Sequence, residues 1–397
     1  MKEPFHTTGC SSGERVKAMA SSRTLEIVGA GPAGLSAALA ARASGAEVTV
    51  FEKRPDVGAR FHGDFQGLEN WTSETDVLAE LESLGIKTGF DHTPVYEIVC
   101  FDPSGVMHTA RSAIPIFYLV RRGSGHGTLD QALKAQALEA GVMLRFGERR
   151  RRVPNGGVVA EGPHRADVIA AGYVFETDMA DGCYAAISNR LAPGGYSYLL
   201  IDKGRGTVAT CMFERFHDER QCLAATVDFF EREVGLRWRT RQRYGGSGNF
   251  QRVDRAVIGE RRYVGESAGF QDALFGFGLR YAFLSGHLAG SIDGPASAYE
   301  QAWVARLAGL NAASVCNRWL YERLGDRGRR AVLGRAVAGR DPRRLLQRIY
   351  SPKRWKTALA RWLPNTPLLS AGNQPANCDC TWCRCHRHTP PPSESGV

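Results

Sequence analysis

The chain has 397 residues, of which 43% are hydrophobic and 23% charged, the balance of a globular protein with a large buried core. It has no run of roughly 18 apolar residues and no apolar signal segment at its start, which argues against a membrane-spanning or secreted protein and predicts a cytoplasmic one. The net charge is +10, yet residues 301–397 alone carry 17 Lys and Arg against five Asp and Glu, so the basic character belongs to the C-terminal quarter.

The stretch at 24–52, TLEIVGAGPAGLSAALAARASGAEVTVFE, predicts a strand, a glycine turn, a helix and a second strand, after a disordered leader at 1–23. At such a turn Gly29 allows the tight bend, Gly31 lets the backbone approach a pyrophosphate, and Gly34 lets helix and strand pack closely. The helix N-terminus offers amide donors to phosphates, and an acid at the end of the second strand accepts hydrogen bonds from ribose hydroxyls. The predicted cofactor-binding residues here are Gly29, Gly31, Ala33, Gly34, Glu52, Lys53 and Arg60.

Alternating and β-branched runs in 61–109 and 165–250 predict a mostly antiparallel sheet, interrupted by a helix at 219–234. One predicted strand, at 196–201, places Tyr side chains on a single face. The glycine-rich run at 245–248 follows charged residues that do not suit a buried parallel strand. We therefore interpret that run as a loop, and we find no second glycine fingerprint for a nicotinamide domain.

Two later segments bear on which dinucleotide is bound. The first, at 118–133, reads YLVRRGSGHGTLDQAL and leads into a helix. The second, at 259–290, contains Gly276-Phe277-Gly278 at the start of a long apolar helix. A helix N-terminus at that position suits the negative charge that a reduced flavin ring develops better than it suits another phosphate.

In this order the three segments resemble the FAD-dependent geranylgeranyl reductase family, within the aromatic-hydroxylase-like flavoproteins with a glutathione-reductase-type Rossmann domain. The resemblance implies that FAD is the cofactor, that Arg122 lies near it, that Glu266 contacts its ribityl and phosphate region, and that Gly276 and Gly278 lie beside the flavin. It also implies hydride transfer between flavin and a small apolar substrate, such as an isoprenoid. NAD(P)H or an electron-carrier protein would supply the electrons.

The expected fold is a discontinuous α/β FAD-binding Rossmann-like domain with an antiparallel β-sheet substrate domain and a C-terminal helical region. The FAD-binding domain is expected to comprise 24–60, 110–164 and 251–295. The substrate domain is expected to comprise 61–109 and 165–250, and a basic helical region and a Cys/His-rich tail follow at 296–365 and 366–397.

The resemblance also places the segment GARFHGDFQGLENW, at 58–71, beside the flavin ring. His62 is the predicted proton donor in it, with Asp64 and Trp71 nearby. The alternatives are a surface-loop histidine and a tryptophan that only packs in the core. Tyr196 and Tyr198 are the other predicted catalytic residues, and they act together or not at all because they share a strand face.

The segment at 343–363 predicts a basic amphipathic helix that Pro352 divides in two. Its apolar positions fall on one face and are Trp355, Leu359, Trp362 and Leu363. Such a face suits peripheral contact with an anionic membrane surface, and the alternative is that it packs on its own domain. We do not expect nucleic acid as a partner, because no recognised binding module accompanies the charge.

The tail contains a dense cluster of thiols and imidazoles, CDCTWCRCHRH. Such groups favour zinc or another soft metal, and the alternative is a disordered, reactive tail. The predicted ligands are Cys378, Cys380, Cys383, Cys385, His386 and His388. Two further functions remain open from the sequence: an FAD-dependent monooxygenase, and a metal-binding or redox-sensing protein that acts through this tail.

Overall fold

A computed structural model of the chain describes residues 23–150, 153–337 and 341–363. Its strands, in chain order, are β1 Thr24–Val28, β2 Glu47–Glu52, β3 Phe65–Glu69, β4 His92–Val95, β5 Glu97–Phe101, β6 Met107–Arg111, β7 Phe117–Arg121, β8 Met143–Phe146, β9 Val158–Val159, β10 Val168–Glu176, β11 Gly182–Ala186, β12 Tyr196–Asp202, β13 Arg205–Met212, β14 Thr240–Gly248, β15 Val257–Ile258 and β16 Arg261–Tyr263. Its α-helices are α1 Pro32–Ala43, α2 Val77–Ser83, α3 Leu129–Glu139, α4 Glu219–Val234, α5 Leu279–Ser291, α6 Ala296–Val337, α7 Pro342–Tyr350 and α8 Arg354–Trp362.

The first layer is a six-stranded sheet in the order β15-β16-β9-β1-β2-β8. Its pairs are parallel except for the β15–β16 hairpin. Parallel neighbours need a crossover connection, and α1 supplies it between β1 and β2. The helix is almost entirely small and apolar, and ten of its twelve residues are buried between the sheet and α5. The predicted Rossmann-like unit is therefore confirmed.

The second layer is a seven-stranded sheet in the order β14-β10-β13-β12-β11-β5-β6. Its pairs are antiparallel except for β5 with β11. The amphipathic helix α4 covers one face with Leu223, Val227 and Phe230. The antiparallel sheet and the helix at 219–234 are thus both as predicted.

The interpretation of 245–248 as a loop is wrong. These residues are the end of β14, where Gly245 pairs with Ala171 and Ser247 pairs with Ile169. The charged residues that argued against a strand are exposed because β14 lies at the edge of an antiparallel sheet. Such an edge tolerates polar side chains that a buried parallel strand excludes.

A third, three-stranded sheet in the order β3-β7-β4 joins the two layers. The strand β7 belongs to a segment that the sequence assigns to the FAD-binding domain, whereas β3 and β4 belong to the predicted substrate segment. The two expected domains therefore share this sheet. The segment between β2 and β3 also contacts the second layer, because Arg60 donates to the carbonyl oxygen of Ser247 on β14.

The C-terminal helices α6, α7 and α8 confirm the predicted helical region. The long helix α6 is interrupted at Gly325, whose φ is 55°. The chain breaks between α7 and α8 at Pro352, as expected. Among the described residues, no helix combines the length and the hydropathy needed to cross a bilayer.

Candidate functional site

One cavity of about 1140 Å³ runs between the layers. At one end it is lined by the glycine turn after β1 and by the end of β2. In the middle it is lined by β3, β12, β14 and the segment that precedes α5, and at the far end by α6, α7 and α8. The cavity therefore connects the predicted cofactor residues with the sheet and with the C-terminal helices.

The glycine turn has the geometry that close backbone approach requires. Gly29 has φ +97°, and a Cβ there would lie 2.1 Å from the carbonyl oxygen of Ala160. A Cβ on Gly34 would lie 1.9 Å from the carbonyl oxygen of Gly29. By contrast, the space around Gly31 is open where it faces the cavity, at the N-terminus of α1. That opening fits the phosphates of a dinucleotide, which would accept hydrogen bonds from the helix amides.

Glu52 fixes the turn from the end of β2. Its Oε2 atom accepts a hydrogen bond from the amide of Ala30 at 2.9 Å, and its Oε1 atom accepts one from the amide of Arg54 at 2.9 Å. Each carboxylate oxygen keeps a second lone pair that can accept from a ribose hydroxyl. Lys53 and Ala33 line the same end of the cavity.

Two ion pairs flank the middle of the cavity. Arg60 lies 3.4 Å from Glu266 and also donates to the carbonyl of Ser247. Burial raises the pKa of the Glu266 carboxyl, and the charge of Arg60 opposes that shift. Arg122 is buried, and it donates two hydrogen bonds to Asp130 at 2.8 and 2.9 Å. Both arginines therefore line the cavity in positions that are set by carboxylate partners.

The segment before α5 supplies the second helix N-terminus. Gly276 and Gly278 line the cavity, and Gly278 is the residue from which α5 starts. Beside them lies Gln271, whose Nε2 atom donates to the carbonyl of Gly276. The Oε1 atom of Gln271 is buried and finds no hydrogen-bond donor among the described residues. This acceptor fits a ring N–H of an isoalloxazine, so the residues present fit FAD at both ends.

A buried carboxyl and two tyrosines form the polar part of the middle cavity. Asp64 is 3% exposed and accepts hydrogen bonds from the amide of His62 and from Gln66. Burial raises the pKa of its carboxyl above the usual value, and the hydrogen bond from the His62 amide only partly opposes this. The hydroxyls of Tyr198 and Tyr244 are 3.0 Å apart. Burial raises the pKa of both hydroxyls, so these groups hold their protons at neutral pH.

The predicted catalytic residues have different environments. Tyr196 and Tyr198 both line the cavity, and the Tyr196 hydroxyl donates to the carbonyl of Phe275. The side chain of His62 is exposed and is not part of the cavity lining, whereas Asp64, two residues later, is. Trp71 is buried, packs edge-on against Phe277 with ring centroids 4.8 Å apart, and lines the cavity. Trp71 therefore both packs in the core and lines the cavity.

Sequence reasoning missed three residues of this site: Gln66, Tyr244 and Gln271. Gln66 accepts a hydrogen bond from Arg122 and donates one to Asp64, so it connects the Arg122–Asp130 pair with the buried carboxyl. No local motif marks these residues. Their signal is the convergence of polar side chains from distant segments on one cavity.

The Cys/His tail that carries the six predicted metal ligands lies outside the described residues. Within 23–150, 153–337 and 341–363, no group of three or more His, Cys, Asp or Glu side chains is arranged to hold a metal ion. Zinc binding by the tail therefore stays a prediction.

Comparisons with known proteins agree with this geometry. Residues 27–69 match a family described as an NAD(P)-binding Rossmann-like domain. The chain is 37% identical over 82 residues to the NADP(+)-dependent formate dehydrogenase subunit beta of Moorella thermoacetica. That match covers 20% of this chain and 11% of the relative, so the chain spans about a tenth of the length of this curated relative.

Solved structures cover much more of the chain. A geranylgeranyl bacteriochlorophyll reductase-like protein of Thermoplasma acidophilum superposes with a TM-score of 0.63 and 18% identity, over 86% of this chain and 96% of that one. A flavin-dependent brominase superposes with a TM-score of 0.60 and 16% identity, over 86% and 98% of the two chains. At these identities the likeness is one of fold. The chain therefore has the fold of the geranylgeranyl bacteriochlorophyll reductase-like protein and of the flavin-dependent brominase, with an NAD(P)-binding Rossmann-like stretch at 27–69.

Proposed function

We propose that the protein is an FAD-dependent oxidoreductase that transfers a hydride between flavin and an apolar substrate, and that the substrate is an isoprenoid whose carbon–carbon double bond is reduced. The observation that carries the proposal is a continuous cavity that has the N-terminus of α1 at one end, the N-terminus of α5 in its middle and apolar side chains at its far end. The lining of its far end includes Leu320, Leu324, Leu345, Leu346 and Ile349. A cofactor end that is rich in amide donors and a substrate end that is apolar match the two partners of such a reaction.

In this proposal each residue has a defined task. The turn at Gly31 and the N-terminus of α1 hold the pyrophosphate, and Glu52 holds the ribose. Gln271 and the N-terminus of α5 orient the isoalloxazine ring, which when bound supplies the hydride chemistry. The packed aromatic wall of Trp71 and Phe277 excludes water from the middle of the cavity.

Reduction of a double bond adds a hydride to one carbon and a proton to the other. Two groups that line the cavity can hold that proton, the carboxyl of Asp64 and the hydroxyl of Tyr198, which is hydrogen-bonded to Tyr244. The raised pKa of Asp64 favours its protonated form and so suits a donor role. The electrons would come from NAD(P)H that docks transiently or from an electron-carrier protein.

The first test is cofactor uptake. We expect the purified chain to bind about one FAD per chain, because one continuous cavity receives both helix N-termini. Absorbance of the isolated protein and mass spectrometry of the molecule released on denaturation measure this directly. A folded chain that stays colourless after incubation with excess FAD refutes the proposal.

The second test separates a reductase from a monooxygenase, the runner-up function. The fold that the chain shares with the flavin-dependent brominase supports this alternative. With chemically reduced flavin and an isoprenoid substrate under argon, a reductase yields the saturated product and reoxidised flavin. A monooxygenase instead consumes oxygen in proportion to substrate and gives no reduced product without air.

A metal-binding or redox-sensing function of the tail is a third possibility. Removal of residues 374–397 tests it, because every described residue that lines the cavity comes before 357. If FAD content and turnover are unchanged by the deletion, the tail is not the functional part of the protein.

A further inference from the structure

The helix α8 presents its tryptophans to solvent and its lysine to the protein interior. Trp355 and Trp362 lie seven residues apart, on one face, and are 51% and 87% exposed. Lys356 and Ala360 lie on the opposite face and are 5% and 1% exposed. An amphipathic helix that docks only on its own domain would have the reverse arrangement.

The contacts of Lys356 hold the helix in this orientation. Its Nζ atom donates to Oδ1 of Asn317 on α6 at 2.9 Å and to the carbonyl oxygen of Ile349 at the end of α7. Burial lowers the pKa of this ammonium group, so its two acceptors are needed to keep it inside. The tryptophan face is therefore turned outward by specific contacts on the other side of the helix.

The exposed tryptophan face adjoins the far end of the cavity. Trp355 lines that end together with three other partly exposed apolar side chains, Leu320, Leu324 and Val332, which are 39%, 40% and 47% exposed. Soluble surfaces seldom gather large apolar side chains around the opening of a cavity without a partner to cover them. We call these four residues and Trp362 the apolar rim.

Cationic side chains are concentrated in the segment that carries the tryptophans of the apolar rim. Residues 341–363 contain seven Lys and Arg and one acid, Asp341. Two of the cations, Arg343 and Lys356, are buried, and the exposed ones are Arg344, Arg348, Lys353, Arg354 and Arg361. Among the described residues of α6, α7 and α8 that line the cavity there is no carboxylate. The cavity-lining part of these helices thus combines apolar side chains with cations.

We propose that the apolar rim and its exposed cations dock the protein on an anionic lipid bilayer, with Trp362 and Trp355 in the headgroup region and the cavity opening toward the acyl chains. Tryptophan favours the membrane–water interface, and clustered Lys and Arg bind anionic headgroups. A second copy of the chain fits this surface poorly, because a two-fold contact would place five cations against five cations. The docking itself is independent of the proposed function, and only the delivery of an apolar substrate from the bilayer rests on it.

The test is co-sedimentation of the full chain with vesicles of phosphatidylcholine alone or mixed with phosphatidylglycerol. Trp362→Ala removes the most exposed tryptophan, and Arg354→Gln with Arg361→Gln removes two cations. None of these three residues lines the cavity, so FAD uptake should be unchanged. We expect binding only to the anionic vesicles, weakened by salt, and reduced about ten-fold by either variant.

Matched variants elsewhere on the surface control for composition. Ile258→Ala removes a side chain that is 56% exposed on β15, and Arg220→Gln with Arg232→Gln removes two exposed cations from α4. These should bind vesicles as the parent does. Trp362→Phe should retain most of the binding, because it keeps an aromatic ring at the interface.

Four outcomes would overturn the docking proposal: no preference for anionic vesicles, equal losses in the control variants, self-association that Trp362→Ala abolishes, or salt-sensitive binding to duplex DNA or RNA in place of vesicles. They differ from failure of the proposed function. A chain that binds vesicles but takes up no FAD keeps the docking surface and loses the oxidoreductase. A chain that reduces a detergent-dispersed substrate but does not bind vesicles keeps the oxidoreductase function and loses the docking surface.

Discussion

Gly286 on α5 lies directly against Ala33 on α1, so closely that a Cβ on Gly286 would be 2.1 Å from the carbonyl oxygen of Ala33. One turn further along both helices, a Cβ on Gly290 would be 2.0 Å from the carbonyl oxygen of Ala37. The two helices therefore run parallel, with both N-termini directed the same way. Since α5 starts two turns before Gly286, the two N-termini are offset by about 9 Å along the axis.

This contact predicts the effect of one added methyl group. Gly286→Ala should destabilise the protein by about 1–3 kcal/mol, although alanine is the better helix former, because a backbone carbonyl cannot move aside as a side chain can. FAD occupancy should fall with stability, since the two helix N-termini must separate. Urea unfolding and flavin content measure the two effects. Gly89→Ala, at a glycine with open space around it, is the control, and equal stability of the two variants would contradict the prediction.

The carboxylate of Glu52 should be essential for tight FAD binding. Both of its oxygens accept backbone amides, so Glu52→Gln must point an NH₂ group at the amide of Ala30 or of Arg54. We expect the Kd for FAD to rise about 10- to 100-fold, the range for loss of charge-assisted hydrogen bonds. Fluorescence titration with FAD measures this. The exposed Glu233→Gln variant should titrate like the parent, and an unchanged Kd in Glu52→Gln would remove this role.

The parts of the fold that depend on local geometry could be predicted from the sequence. The unit at 24–52 forms β1, α1 and β2 as expected, because its apolar runs, its glycine turn and its helix all lie within about thirty residues of one another. The break at Pro352 and the helix at 219–234 are local in the same sense. The strand at 245–248 was missed because its identity depends on pairing with β10, more than seventy residues earlier.

The candidate site shows the same limit. The sequence predicts His62 as a proton donor, but burial decides which group faces the cavity, and the buried group is Asp64. Two further neighbours of Asp64, Tyr198 on β12 and Tyr244 on β14, come from distant segments, and no sequence pattern places them beside it. Periodicity likewise identified the tryptophan face of α8 but not its direction, which depends on the contacts of Lys356 with other helices.

Breaking the buried ion pair of Arg122 and Asp130 should lower the unfolding free energy far more than breaking an exposed ion pair. Asp130→Ala leaves a buried guanidinium without its carboxylate, which typically costs about 3–5 kcal/mol of unfolding free energy. Lys87 and Glu139 form a pair of similar length, 2.7 Å, with both side chains about two-thirds exposed. Lys87→Ala should cost no more than about 1 kcal/mol. Urea unfolding of both variants measures the two losses of unfolding free energy. Equal losses would contradict this ranking.

The raised pKa of Asp64 predicts how stability depends on pH. Burial raises this pKa in the folded protein above its unfolded value of 3.8, so the favourable contribution is present below pH 3.8 and is lost as pH rises through the folded-state pKa. Asp64→Asn removes the titration. The unfolding free energy of the variant, relative to that of the parent, should therefore increase as pH rises from about 4 toward 7.

The measurement is a series of urea unfolding curves for the FAD-free chain across that range. Taking the difference between variant and parent cancels the titration of distant groups. A difference that stays flat with pH for Asp64→Asn would mean that the Asp64 carboxyl is solvated in the folded protein. Asp64 would then lack the raised pKa that makes it the candidate proton donor.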